Sequence, residues 1–262
     1  MESLPFHPIL ANALQFAFEK ATTEGKVTIG LLLIVSLFSW TVIITKARQL
    51  LRARKMSKGF FAIYRSTRDP LELYHRNSEF PGAPAFEVFE TGAEELAYQL
   101  KHNPVTVRGK SRISPAAFES VKVALERAVS AQALSLEKGM IILSTAVAGG
   151  PFIGLLGTVW GVMETFSGIA KVQAASLTAM APGVAGALIA TVVGLFVAIP
   201  AMFAYNYMVT TVRAITQELD NFTAEYATAI EHAYVDNRSM SEEIAEALAQ
   251  LRTNDVLEPQ LT

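Results

Sequence analysis

Three long stretches of the chain contain no charged residue, and they set its predicted architecture. The first covers residues 27–45, the second lies between Lys138 and Glu164, and the third lies between Lys171 and Arg213. One crossing of a bilayer needs about 20 consecutive apolar residues. The pattern therefore predicts an all-α integral membrane protein with three transmembrane helices. We place these helices at 27–45, 139–168 and 182–208.

Helical patterns continue beyond the spans, so long helices are predicted to extend into the cytoplasm. Ser114 and Pro115 form a helix start, with Ser as N-cap and Pro in the first turn, and the helical pattern runs on through Met140. We therefore expect the second span to be continuous with a helix from 115. The third span likewise continues as an apolar repeat to Ile230. The other segments are a helical loop 46–138, a short outer loop 169–181 and a C-terminal helix and tail 209–262.

The ends of the chain are predicted from weaker signals. Residues 1–26 carry apolar residues near helical spacing and few charges, which favours an amphipathic helix at the membrane surface. A frayed tail is the alternative. Residues after about 252 are expected to be disordered because they are polar and lie at the terminus.

Basic residues predict the orientation of the chain. Six of them lie within residues 46–58, directly after the first span, and no acid occurs there before Asp69, whereas only Lys20 and Lys26 precede the span. Because positive residues near a span favour the cytoplasmic side, the N-terminus is predicted to lie outside and the C-terminus in the cytoplasm. Binding of anionic lipid is a second interpretation of the same charges. The six residues are Lys46, Arg48, Arg52, Arg54, Lys55 and Lys58.

Composition narrows the chemistry that the chain can perform. Hydrophobic residues make up 51% of its 262 residues, and the formal net charge is -2, so no overall charge favours nucleic acid. There are no cysteines, and the four histidines are scattered along the sequence. We therefore predict no metal site, no cofactor and no enzymatic activity, since no complete catalytic set is present.

Small residues form a stripe on each of the last two spans. In the second span, glycines recur at intervals of four, three and four residues, which places them on one face of a helix. Small residues let helix backbones approach closely in a membrane, so both stripes are predicted to be packing faces. Two prolines within these spans are expected to kink their helices. The packing glycines are Gly150, Gly154, Gly157, Gly161, Gly183 and Gly194, and the prolines are Pro151 and Pro200.

Two threonines are the leading candidates for function. If the second span rises from the cytoplasm and the third descends, Thr158 and Thr191 lie at similar depths, since a helix rises ~1.5 Å per residue. One interpretation is that they line a polar path between helices. The alternative is that each hydroxyl bonds to the carbonyl four residues earlier in its own helix.

Glu164 is the only acid between Glu137 and Glu218. A carboxylate within the membrane would be a functional candidate. Glu164 also lies about 240° around the helix from Thr158, at 3.6 residues per turn, so solvation at the outer interface is the alternative. Two close-packed helices cannot enclose a wide pore, and we therefore expect the chain to form an oligomer. A purely structural scaffold is equally compatible with the glycine stripes.

Two sequence segments resemble the MotA/TolQ/ExbB proton-channel family, and most closely its ExbB and TolQ branch. The first is Pro151-Phe-Ile-Gly-Leu-Leu-Gly-Thr-Val-Trp-Gly-Val-Met163. The second is Ala181-Pro-Gly-Val-Ala-Gly-Ala-Leu-Ile-Ala-Thr-Val-Val-Gly-Leu-Phe-Val-Ala-Ile-Pro-Ala201, followed by Tyr205-Asn206. The resemblance covers residues from about 135 to 215 strongly and the remainder only in its layout.

This resemblance implies a subunit of an ion-driven motor in the bacterial inner membrane. It implies a pentamer of this chain around the transmembrane helices of an ExbD- or TolR-like dimer, with a periplasmic N-terminus and a periplasm-spanning TonB-like protein as a further partner. Membrane lipid is also expected to contact the chain. Thr158 and Thr191 match the family's pore-lining threonines, which face a proton-carrying aspartate of the partner.

The chain departs from the ExbB and TolQ pattern at one position. That pattern has a glutamate five residues before the threonine of the third span, where this chain has Gly186. Either the carboxylate is dispensable, as in the MotA branch, or Glu164 partly replaces it. We hypothesise the first, with the partner's aspartate as the only intramembrane carrier. A MotA-like motility stator and a non-conducting scaffold are the alternatives for function.

Overall fold

The chain is described from a computed structural model, which describes residues 23–107, 109–172, 177–236 and 238. Most of the predicted amphipathic segment 1–26 and the C-terminal tail therefore lie outside the described residues. So does part of the loop predicted at 169–181.

Helices dominate the described part of the chain. Three of them are long and apolar enough to cross a membrane, by length and composition. This confirms an all-α integral membrane protein with three transmembrane helices. The helices are α1 (Thr23–Tyr64), α2 (Glu72–His75), α3 (Pro84–His102), α4 (Pro115–Glu137), α5 (Met140–Val172) and α6 (Leu177–Tyr234). The candidate spans are α1, residues 140–170 of α5 and residues 183–234 of α6.

The chain divides into two compact units. The first, which we call the membrane unit, comprises Met1–Ala53 and Ala133–Ile215. The second unit comprises Arg54–Gln132 and Thr216–Thr262. Helices α1 and α6 contribute residues to both units.

Within the membrane unit, α1 is buried along a seven-residue repeat. Gly25, Leu32, Ser39, Lys46 and Ala53 are all buried. A repeat of seven keeps one seam of a helix facing its neighbours, as in coiled coils. Apolar side chains on the other faces are exposed, so they are available to lipid or to neighbouring chains. Among them are Leu33, Leu37, Phe38 and Trp40.

The predicted continuous helix from 115 through the second span is wrong, because it breaks between α4 and α5. Lys138 and Gly139 form a turn, and Gly139 has a φ of 86°. A left-handed residue ends a helix, and glycine adopts it without steric cost. The Lys46 amine donates to the carbonyls of Leu136 (3.1 Å) and Ser135 (3.4 Å), which occupy the last turn of α4. A buried cation thus satisfies carbonyls at a helix end, where the helix dipole favours positive charge.

In the second unit, a short hairpin joins α3 and α4. Strand β1 (Val105–Val107) pairs antiparallel with β2 (Lys110–Arg112), and Gly109 in the turn has a φ of 77°. This hairpin was not predicted from the sequence. Each strand has three residues, which is too short for a clear alternation of apolar and polar positions.

An aromatic cluster forms the core of the second unit. Phe60 lies near its centre, with ring centroids of Phe80, Phe89 and Phe222 each 5.5 Å from its own. Aromatic rings at such separations add to the stabilisation from burial. Tyr226 stacks on Phe222 in the same cluster and is completely buried.

The buried hydroxyl of Tyr226 finds no hydrogen-bond partner among the described residues. An unsatisfied buried polar group costs about 1–3 kcal/mol. We therefore expect Tyr226→Phe to raise the melting temperature of the purified protein, measured by tryptophan fluorescence in detergent. Tyr234→Phe is the matched control: its hydroxyl donates to the carboxylate of Asp69 at 2.8 Å, so this variant should melt earlier. A lower melting temperature for Tyr226→Phe would mean that its hydroxyl has a partner.

Candidate functional site

The glycine stripes of α5 and α6 face each other in the membrane unit. A Cβ added to Gly150 would lie 3.0 Å from the carbonyl oxygen of Gly194, and one added to Gly154 would lie 2.8 Å from that of Ala190. A Cβ on Gly194 would in turn lie 2.5 Å from the carbonyl oxygen of Gly150. The two helix backbones therefore lie so close together that these positions have no room for a side chain.

The remaining packing glycines extend this contact. A Cβ on Gly157 would lie 2.7 Å from the Cβ of Ala190 and 2.8 Å from the hydroxyl of Thr28 in α1. Gly183 approaches the hydroxyl of Thr165, and Gly161 is buried. The stripe on α5 therefore packs against both other spans.

The structure brings Thr158 and Thr191 into contact, hydroxyl to hydroxyl. The Thr158 oxygen also lies 3.2 Å from the carbonyl oxygen of Gly154, in its own helix, and 3.3 Å from that of Ala187 in α6. The Thr158 hydroxyl can therefore bond within its own helix and across to α6, while the polar path between the helices stays a prediction. Both side chains are half-buried in the single chain.

Proton counting defines what this hydroxyl pair can do. A threonine hydroxyl has one proton to donate and two lone pairs that accept, whereas a carbonyl only accepts. If Thr158 donates to a carbonyl, Thr191 donates to Thr158 and its oxygen can accept from a third group. If Thr158 donates to Thr191, the proton of Thr191 can be given elsewhere. The pair can therefore serve a neighbouring group in both its protonated and its deprotonated form.

No candidate carboxylate lies beside this pair at either of the two positions considered, 164 and 186. Glu164 is exposed and lies about 9 Å along α5 from Thr158, at ~1.5 Å per residue, within the candidate span. Gly186, where the resemblance implies a glutamate, is buried in α6. The structure thus does not join Glu164 to the threonines.

The structure also bears on the two prolines and on metal binding. Helices α5 and α6 are assigned without a break through Pro151 and Pro200, and the predicted kinks stay predictions. Within the described part of the chain, no group of three or more His, Cys, Asp or Glu residues could hold a metal ion.

Two polar residues of the membrane unit make contacts that were not anticipated from the sequence. From the sequence, Lys46 was interpreted only as one of the charges that orient the chain in the membrane. In the structure it is 8% exposed and its amine bonds the end of α4. Its seven-residue spacing from Ser39 and Ala53 is the signal that could have revealed it. Thr165 follows Thr158 by seven residues, which places it near the same face, and its hydroxyl donates to the carbonyl of Gly161 at 2.8 Å.

These features define a class: a helical membrane protein in which two glycine-packed spans hold a hydroxyl pair at their contact. The model of the MotA/TolQ/ExbB proton channel family matches residues 87–221. The chain belongs to this family, in its ExbB and TolQ branch.

Individual relatives agree with that assignment. The Tol-Pal system protein TolQ of Haemophilus influenzae is 34% identical over 81% of this chain and 91% of its own length. TolQ of Pseudomonas aeruginosa is 36% identical over 67% of this chain and 74% of its own length. The biopolymer transport protein ExbB of Salmonella typhimurium is 31% identical over 86% of this chain and 89% of its own length.

Proposed function

We propose that the chain is the stator subunit of an ion-driven motor in the bacterial inner membrane. Five copies would surround the transmembrane helices of an ExbD- or TolR-like dimer, with the N-terminus in the periplasm and the C-terminus in the cytoplasm. The observation that carries the proposal is the hydroxyl pair of Thr158 and Thr191, held within the family's sequence motifs by two glycine-packed helices.

The chemistry of the pair supports a role beside a group that gains and loses a proton. A protonated carboxyl donates one hydrogen bond, and Thr191 can accept it when its own proton goes to Thr158. A carboxylate only accepts, and the reversed arrangement of the two hydroxyls can donate to it. A partner's aspartate could therefore be bound in both states without an unsatisfied group in a low-dielectric environment.

The glycine at position 186 supports a charge-carrying role for the partner. Glycine stands where the resemblance implies a glutamate, and Glu164 is exposed about 9 Å along α5 from Thr158, so among the described residues no carboxylate bonds the pair. One elementary charge crossing the membrane is worth about 2.3 kcal/mol per 100 mV. A single proton-carrying group on the partner could use this free energy each time one proton crosses the membrane.

The surface of the spans supports assembly. Phe152 of α5 and Phe196 of α6 are 72% and 74% exposed in the single chain. The threonine pair, half-buried, lies at the edge of the α5–α6 contact. A ring of chains would cover part of the apolar surface and present each pair to a central partner, while lipid would cover the rest.

The names of the relatives suggest the load that the motor would drive. They belong to a Tol-Pal system and to biopolymer transport. We therefore assign the chain to maintenance of the cell envelope or to outer-membrane transport, with force passed to a periplasm-spanning protein such as a TonB-like one.

Co-expression with an ExbD- or TolR-like protein tests the proposal. We expect a complex with five copies of this chain and two of the partner, measured by native mass spectrometry. We also expect proton flux in liposomes that contain the complex and not in liposomes that contain this chain alone. A complex that forms but conducts no ion would favour a scaffold and contradict the proposal.

A further inference from the structure

A cavity of about 360 Å³ lies in the membrane unit where α4, α5 and α6 meet. Its polar lining combines an anion, a cation and two hydroxyls, from Glu137, Arg213, Ser144 and Tyr205. Apolar residues of α5 and α6 complete the wall. Glu137 and Arg213 are both exposed, so each can interact with water in the cavity.

The cavity lies on the same helix faces as the threonine pair. Ser144 precedes Thr158 by fourteen residues, and Tyr205 follows Thr191 by fourteen. Fourteen residues are close to four helical turns, so each residue returns to nearly the same face about 21 Å away. Residues 146–157 and 192–204 between them carry no polar side chain.

The last turn of α4, which ends at Glu137, is fixed at this point. The Lys46 amine bonds the carbonyls of Leu136 and Ser135 and also the side-chain oxygen of Gln49, at 2.8 Å. The turn at Gly139 then starts α5, whose first residue, Met140, lines the cavity. The cavity wall is therefore a built feature of the α4–α5 joint.

We propose that this cavity is the aqueous vestibule through which protons leave the pathway on the cytoplasmic side, with Glu137 as the proton-accepting group. The inference rests on the proposed function. The Glu137 carboxylate takes a proton from a hydronium ion that arrives from the membrane, which leaves water. It then gives that proton to bulk water, and the carboxylate is restored. The positive charge of Arg213, which lines the same cavity, offsets the charge of Glu137 while Glu137 is ionised.

A single cysteine tests whether ions pass through the cavity. The chain has no native cysteine, so Ser144→Cys introduces a unique thiol, used here with a cysteine-free partner. A water-soluble cationic methanethiosulfonate on the cytoplasmic side should lower proton flux through the complex at least fivefold. Thr145→Cys is the matched control: the adjacent residue lies about 100° around the helix and does not line the cavity, so flux should persist. Equal responses of the two variants would overturn the proposal.

Charge removal tests the role of Glu137. We expect Glu137→Gln to lower proton flux at least threefold and Glu137→Asp to restore most of it. Glu126→Gln, on the same helix, should leave flux unchanged. Wild-type flux in Glu137→Gln, with loss of flux in Thr158→Val, would overturn the vestibule and leave the pathway intact. A wild-type complex without flux would overturn both.

Discussion

Thr158→Val and Thr191→Val are each expected to lower proton flux through the complex by about tenfold or more. Valine has nearly the shape of threonine but lacks the hydroxyl. Each variant therefore keeps only one of the two hydroxyls, and the exchange of donor and acceptor between them is lost. A hydrogen bond to a charged group contributes about 1.5–3 kcal/mol, and each 1.36 kcal/mol in a barrier is tenfold in rate. Flux is measured in inverted membrane vesicles that contain both proteins.

Two controls separate this effect from a loss of structure. Thr158→Ser and Thr191→Ser keep the hydroxyl and should conduct, and all four variants should assemble with the partner. Glu164→Gln should also conduct, because the structure does not join Glu164 to the pair. If Glu164→Gln abolished flux, this chain would carry charge itself and the partner's carboxylate would not be the only carrier.

Gly154→Val is expected to separate α5 from α6 and to destabilise the chain. Its Cβ would lie 2.8 Å from the carbonyl oxygen of Ala190 and 2.9 Å from the Cα of Thr191. These are backbone atoms, so no side chain can rotate away, and overpacking a tight contact costs about 1–3 kcal/mol. The melting temperature of the purified chain should fall by several degrees, and less complex should be recovered.

Gly149→Val provides the matched control for this substitution. Gly149 lies on the same helix, and a Cβ there would meet nothing within 4 Å. We expect this variant to melt and assemble as the wild type does. If the two variants behaved alike, the loss would reflect helix propensity and not the α5–α6 contact.

Much of the membrane architecture follows from the sequence. Uncharged stretches gave the spans, and glycine spacing gave the packing faces that the structure brings together at Gly154 and Gly194. The depth of the two threonines followed from the rise of a helix, and Thr158 indeed contacts Thr191. These features depend on patterns between residues close together in the sequence, and such patterns can be seen in a single sequence.

Other features depend on contacts between distant residues. The break at Gly139 was hidden because an apolar pattern continues across it, and it is supported by Lys46, about ninety residues away along the chain. The burial of Lys46 follows from its place on a seven-residue seam and not from its charge. The three-residue strands β1 and β2 carry too short a pattern to detect.

In the proposed motor, protons pass along the threonine pair while a partner carries the charge. The most direct test of this pathway is proton flux in liposomes that contain the purified complex, with both hydroxyls removed in Thr158→Val/Thr191→Val. We expect a sustained flux for the wild type, a flux at background for the double valine variant, and recovery in Thr158→Ser/Thr191→Ser. Wild-type flux in an assembled double valine complex would contradict this pathway.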